Sequence, residues 1–140
     1  MTRDEAGLRA EVAEAAHVLA RLGLVTAFGH VSARVGGAML ITPAADLAGV
    51  SAEGLIEVAL SGVAPAEGSG PGVAPPGVAL PAGAPAEAWA HLAVYRQRPD
   101  ADAVARAQPP SAFAAAAVAT ATGAIRPLHG QAAWLGERIP

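Results

Sequence analysis

The chain has 140 residues, a length that suits one domain and is too short for two ordinary ones. Hydrophobic residues make up 53% and charged residues 15%, a balance that excludes a charge-driven disordered chain. The formal net charge is -3 and the nine basic residues are all scattered arginines, so nucleic acid is not an expected partner. The sequence has neither cysteine nor lysine, which excludes thiol nucleophiles, thiolate metal sites, Schiff-base catalysis and a P-loop.

We expect neither a membrane span nor an export signal. No uninterrupted apolar run approaches the ~20 residues of a membrane span. Residues 1–5 are too polar for the start of a signal peptide. We therefore predict a cytoplasmic protein with no membrane partner.

The first half of the chain predicts a helix followed by strands. Residues 2–22 carry apolar side chains at steps of three and four, which favours an amphipathic helix. His17 lies off that apolar stripe and is expected to be solvated. A hairpin is predicted next, because the β-forming segments 25–35 and 39–42 flank the tight pair Gly36-Gly37. Residues 55–60 predict a third strand.

The second half begins with a Pro/Gly-rich loop over residues 62–85. Pro85 then opens a predicted helix that runs to about Arg98, and a short strand is expected around Val104. An alanine-rich helix over 111–120 and a last strand over 125–128 complete the chain. Strands interleaved with helices favour an α/β or α+β layered sheet.

Two groups of residues can carry chemistry. Glu87 and His91 are four residues apart on one helix, so they share a face and suit acid–base work or metal binding. An ordinary surface pair has the same spacing. In the hairpin, Gly29 beside His30 and Ser32 would let backbone amides approach an anion, although a strand with a bulge explains the same residues.

Several motifs in a fixed order resemble the class II aldolase/adducin family. They are Gly29-His30-Val31-Ser32-Ala33-Arg34, Ile41-Thr42-Pro43, the helix with Glu87, His91 and Tyr95, then Arg98-Pro99-Asp100, Ala103-Val104 and Pro109-Pro110. The resemblance runs from about residue 8 to residue 140, and several motifs in order are more specific than any one of them.

The resemblance implies an α/β fold, a three-layer α/β/α domain with a largely antiparallel central sheet. It implies one domain over residues 1–140 that lacks the family's C-terminal portion. It also implies zinc or another divalent metal, a homo-oligomer with sites between subunits, and cleavage or epimerisation of sugar phosphates. Glu87 matches the family glutamate that moves the proton.

The chain departs from the family pattern where metal ligands are expected. Arg106 and Gln108 stand in place of two histidine ligands, and a guanidinium has no lone pair to give a metal. The third family histidine lies in the missing C-terminal portion. Pro85-Ala86 replaces the serine pair that helps to hold a substrate phosphate.

These features predict a diverged, metal-free aldolase-like protein that acts on a small carbonyl or carboxylate compound. Glu87 is the predicted base, and Arg106 replaces the metal cation or binds a carboxylate. The predicted substrate-binding residues are Gly29, His30, Ser32, Thr42 and Gln108.

Three alternatives stay open. Arg106 could form only a salt bridge to Glu87 in an inactive site. The chain could be a non-catalytic binding or assembly module, as adducin-type relatives are. It could also be a metal-dependent lyase or epimerase that binds zinc through His91, His129 or a second subunit.

Overall fold

The structure is a computed structural model that describes residues 4–61 and 80–122. The chain divides into two compact units, Met1–Ala107 and Gln108–Pro140. Most of the predicted loop over 62–85, and the whole strand predicted over 125–128, lie outside the described residues. None of the helices in the described ranges is long and apolar enough to cross a bilayer.

The elements follow the order expected from the sequence. In the first unit they are α1 (Glu5–Arg21), β1 (His30–Val35), β2 (Ala38–Ile41), a 3-10 turn (Leu47–Gly49), β3 (Ile56–Ala59), α2 (Ala88–Gln97) and β4 (Ala103–Arg106). The second unit contains α3 (Pro110–Thr122). Element boundaries differ from expectation by a few residues, most of all at the start of β1. β1 starts five residues later than predicted, because Phe28 takes a left-handed φ of 56° that interrupts extended backbone. Helix α2 begins after Glu87, which is its N-cap.

The four strands form one sheet in the order β3-β2-β1-β4, and every pairing is antiparallel. The β1–β2 turn is the predicted hairpin, with Val35 paired to Ala38 and Gly36 at a φ of 52°. Glycine adopts that conformation without the steric penalty of a side chain.

The two helices of the first unit cover opposite faces of the sheet. Alternating side chains of the strands point to opposite faces, so Val31 and Leu40 pack with α1 while Met39 and Val58 pack with α2. The predicted α/β fold with three layers and an antiparallel central sheet is confirmed.

His17 corrects one expectation about α1. Its Nε2 lies 2.8 Å from the carbonyl oxygen of Val50, and the contact is partly buried. The histidine is therefore not simply solvated: it joins α1 to the segment after the 3-10 turn.

Candidate active site

Two rows of polar side chains face each other between the sheet and α2. One row alternates along β1 and the other repeats every fourth residue through the start of α2, so each row lies on a single face of its element. The rows are His30, Ser32 and Arg34 on the strand, and Glu87, His91 and Tyr95 on the helix. Apart from Arg34 and Tyr95, these are residues that the sequence analysis proposed for the site.

Glu87 lies between a histidine and an arginine. Its Oε2 is 3.4 Å from Nε2 of His30, and its Oε1 is 3.9 Å from Nη1 of Arg106. His30 and Arg106 are brought together because they are cross-strand partners in the β1–β4 pair. Arg106 also donates a hydrogen bond to the carbonyl oxygen of Phe28. The sheet register therefore places Arg106 beside His30, and the packing of α2 against the sheet places Glu87 near both.

His30 is a buried, neutral group beside this pair. Its residue exposure is 3%, against about a third for the side chains of Glu87 and Arg106. Burial is the main cause that lowers the pKa of His30; Glu87 opposes it and Arg106 adds to it. At neutral pH the imidazole is therefore uncharged, and its contact with Glu87 is not an ion pair.

A chain of hydrogen bonds lies directly behind His30. Oγ of Ser32 is 2.7 Å from Nδ1 of His91 and 2.8 Å from the phenol oxygen of Tyr95. All three residues are buried, with Ser32 fully so. Burial raises the pKa of Tyr95, although Ser32 and Arg34 act in the opposite direction. The serine hydroxyl is thus engaged by two side chains, whereas the sequence analysis predicted a contact with substrate for it.

His91 has one bonded and one unbonded ring nitrogen. Within the described part of the chain, its Nε2 has no hydrogen-bond partner although the atom is buried. The ring stands edge-on to His30 with 6.4 Å between the centroids. Burial, with smaller effects from His30 and Arg106, lowers the pKa of His91 to about 4. The ring is neutral at pH 7 and can present one donor and one acceptor.

Arg34 fixes the far end of this chain of hydrogen bonds. Its guanidinium donates to the backbone carbonyl oxygens of Tyr95 and Ala101, at 2.9 and 3.1 Å. It also lies 4.8 Å from the centre of the Tyr95 ring, a cation–π contact. The sequence analysis did not propose Arg34 and Tyr95 as site residues. The sequence spacing could have identified both, because Arg34 lies two residues after Ser32 on the strand and Tyr95 lies four residues after His91 on the helix.

Gly29 and Thr42 make structural contacts. A Cβ on Gly29 would lie 2.3 Å from Cγ1 of Val25, so the close approach requires glycine. Thr42 is fully buried, and its Oγ1 accepts a hydrogen bond from the backbone N–H of Val31 at 3.1 Å. Their predicted substrate contacts stay predictions, as does that of Gln108, the first residue of the second unit.

The described residues do not fit the metal that the resemblance implies. Arg106 is a permanent cation without a lone pair, next to the carboxylate that would face the ion. Within residues 4–61 and 80–122, no group of three or more His, Asp or Glu side chains is placed to hold a metal ion. In His91, a candidate ligand, Nδ1 is bonded to Ser32, so only Nε2 could bind a metal. His129, the other candidate, lies outside the described residues.

Comparison with known proteins identifies the family. The profile of the class II aldolase and adducin N-terminal domain matches residues 10–140. The chain therefore belongs to this family, as its motifs predicted. No functionally curated protein matches it.

Two solved structures share the fold. An L-fuculose-1-phosphate aldolase from Thermus thermophilus is 29% identical, with a TM-score of 0.70 over 98% of this chain and 62% of the aldolase chain. YgbL from Escherichia coli, assigned provisionally as an aldolase/epimerase/decarboxylase, is 27% identical, with a TM-score of 0.55 over 73% of this chain and 44% of its own. The chain thus spans less than two thirds of the length of either protein.

Proposed function

We propose that this protein binds a small carbonyl or carboxylate compound and moves a proton beside its carbonyl group without a metal ion. Glu87 is the proposed base and Arg106 the fixed cation. One observation carries this proposal: the Glu87 carboxylate lies between His30 and Arg106, at 3.4 and 3.9 Å, and is still about a third exposed. The carboxylate lies beside an imidazole and a guanidinium, and a ligand can reach it.

The proposed chemistry is an enolisation. Glu87 accepts a proton from the carbon next to the carbonyl, the C–H electron pair forms a carbon–carbon double bond, and the carbonyl π pair moves onto oxygen. Arg106 stabilises the negative charge that develops on that oxygen. Return of the proton restores the carbonyl compound, so no redox partner is needed.

The geometry favours this function over an inactive salt bridge. A charge-assisted hydrogen bond between Arg and a carboxylate is about 2.8 Å long, whereas the Arg106–Glu87 contact is 3.9 Å. The guanidinium instead donates to the carbonyl of Phe28, which fixes its position. Glu87 is therefore beside a positive charge without being closed off by it.

Hydrogen–deuterium exchange tests the proposed step directly. Pyruvate (a 2-keto carboxylate) and dihydroxyacetone (a neutral hydroxyketone) are incubated with protein in D2O, and loss of their C–H signals is followed by proton NMR. The wild type is expected to accelerate exchange of at least one probe. Glu87→Gln should abolish the acceleration, and Arg106→Ala should lower it by about 100-fold, the scale of a lost oxyanion donor.

Two matched variants control for changes of charge. Glu57→Gln alters an exposed carboxylate on β3, and Arg98→Ala removes an exposed arginine paired with Asp100. Both should keep the wild-type exchange rate. Absence of exchange with both probes, or exchange that survives Glu87→Gln, would contradict the proposed base.

The metal-free part of the proposal has its own measurement. Protein dialysed against a chelator should retain its full exchange rate, and elemental analysis should find no stoichiometric zinc, manganese or iron. Loss of exchange on chelation, restored by zinc, would instead favour the metal-dependent lyase.

We also propose a homo-oligomer, which is what the family resemblance implies, and a cytoplasmic location, as predicted from the sequence. Light scattering on the purified protein tests the assembly. A monomer at high concentration would contradict it.

A further inference from the structure

We propose that Ser32 and Tyr95 are positioning residues that hold His91 with its proton on Nε2, so that a neutral imidazole donates a hydrogen bond to the carbonyl oxygen of the substrate. This inference rests on the proposed function, which assigned His91 no role. It adds a second donor to Arg106 and requires an oxygen acceptor, rather than a hydroxyl donor, at this point of the substrate.

The number of hydrogens in the chain of hydrogen bonds decides which tautomer fits. Tyr95 and Ser32 each carry one hydroxyl hydrogen, and a neutral imidazole carries one on either nitrogen. If Tyr95 donates to Ser32 and Ser32 donates to Nδ1 of His91, each hydroxyl hydrogen has an acceptor. The imidazole hydrogen then has to lie on Nε2.

The opposite direction leaves a buried hydroxyl hydrogen unused. If Nδ1 donated to Ser32, then either the serine hydrogen or the phenol hydrogen would need another acceptor. Ser32 is fully buried and Tyr95 is 2% exposed, so water is not at hand. The Val104 backbone lowers the pKa of Tyr95, which is the effect of an N–H group and not of an acceptor for the phenol hydrogen.

The unpaired nitrogen fits the same tautomer. Nε2 of His91 is buried without a partner in the described residues, on a ring that lies edge-on to His30. A hydrogen on this nitrogen is a donor still to be satisfied. The oxygen of a substrate bound beside Glu87 would then complete the unmet hydrogen bond.

The tautomer is held because the phenol itself is held. Arg34 bonds the backbone carbonyl of Tyr95 and lies over its ring, so the helix and the phenol keep their position on β1. A rigid donor costs no reorganisation when charge develops on the substrate oxygen, which is what makes a preorganised donor effective.

Ring-nitrogen NMR tests the tautomer without a substrate. Protein labelled with 15N-histidine is studied near pH 7 by long-range proton–nitrogen correlation, in which bare and protonated ring nitrogens are well separated. The His91 signals are assigned by their loss in His91→Gln. We expect Nδ1 to be bare and Nε2 protonated in the wild type.

Variants of Ser32 and Tyr95 test whether these hydroxyl groups fix the His91 tautomer or only fill space beside the ring. Ser32→Ala should give a mixture of the two His91 tautomers or move the ring hydrogen to Nδ1. Ser32→Thr, which keeps the hydroxyl, should retain the hydrogen on Nε2 as in the wild type. Tyr95→Phe should weaken the preference. A wild-type ring with its hydrogen on Nδ1, or a Ser32→Ala ring that keeps the wild-type tautomer, would overturn the inference.

Exchange kinetics link the tautomer to the proposed function and keep the two claims apart. Ser32→Ala and His91→Gln should each lower kcat for probe exchange by about tenfold or more with little change in KM, because the donor acts on developing charge. An unchanged kcat in His91→Gln would overturn the donor role even if Glu87 remains essential. If instead the tautomer is as expected but Glu87→Gln still exchanges the probe, the proposed function fails and the assignment of the proton stands.

Discussion

Acidification should destabilise this fold through His91 in particular. The pKa of this buried imidazole is lowered from 6.5 to about 4, so between these two values the unfolded chain binds a proton and the folded chain does not. The free energy of unfolding therefore rises with pH in this range. The contribution of His91 is fully present above the unfolded pKa and is lost as the pH falls toward the folded pKa. Since one pKa unit is worth about 1.4 kcal/mol, the loss is about 2 kcal/mol by about pH 5 and about 3 kcal/mol by about pH 4.

Urea unfolding near pH 7 and near pH 5 measures this contribution. The wild type should lose about 2 kcal/mol more than His91→Gln between the two conditions, because only the variant lacks the titrating ring. Val58→Ala is the matched control: it weakens the core that α2 shares with the sheet but removes no titrating group. It should keep the wild-type pH dependence.

Equal pH dependence in the wild type and in His91→Gln would refute the reasoning. It would mean that the imidazole is protonated in the folded protein or reached by water. A Val58→Ala variant that also lost its pH dependence would show that the slope follows overall stability rather than His91.

Three further changes test the contacts that build the site. Gly29→Ala should cost about 1–3 kcal/mol through overpacking, and adding Val25→Ala should recover part of it in urea unfolding, because two of the clashing atoms are the methyl groups of Val25. Thr42→Val should lower the free energy of unfolding by about 1–3 kcal/mol, because it leaves the Val31 N–H unpaired. Thr42→Ser should keep most of the stability, and equal losses in the two variants would refute this role. Arg34→Lys should lower the thermal midpoint, since an ammonium cannot reproduce the forked donors, and an unchanged midpoint would count against that role.

Much of the fold could be predicted from the sequence because its signals are local. The apolar period of α1, the Gly36-Gly37 turn and the proline before α2 act within a few residues, and each marks an element present in the structure. The start of β1 was predicted too early, since nothing local announces the left-handed backbone of Phe28.

Only part of the site could be predicted in the same way. The motif order singled out Glu87, His30 and Arg106. The β1–β4 register brings His30 and Arg106 together, and the packing of α2 on the sheet adds Glu87. The sequence analysis treated Ser32 as a substrate contact and His91 as a metal candidate. Their direct hydrogen bond was not foreseen, because it joins residues 59 positions apart.

The sequence by itself determined the family, the order of the elements and the chemical types available to the site. The sequence excludes lysine and cysteine chemistry. It also has Arg106 and Gln108 at the two positions where the family resemblance implies metal-binding histidines. Only the tertiary structure decided which polar groups meet. Every second residue of β1 shares one face, and so does every fourth residue from Glu87 through α2, but neither pattern shows that the two faces pack against each other. That packing buries His30 and His91, keeps both rings neutral and leaves the Glu87 carboxylate between an imidazole and a guanidinium.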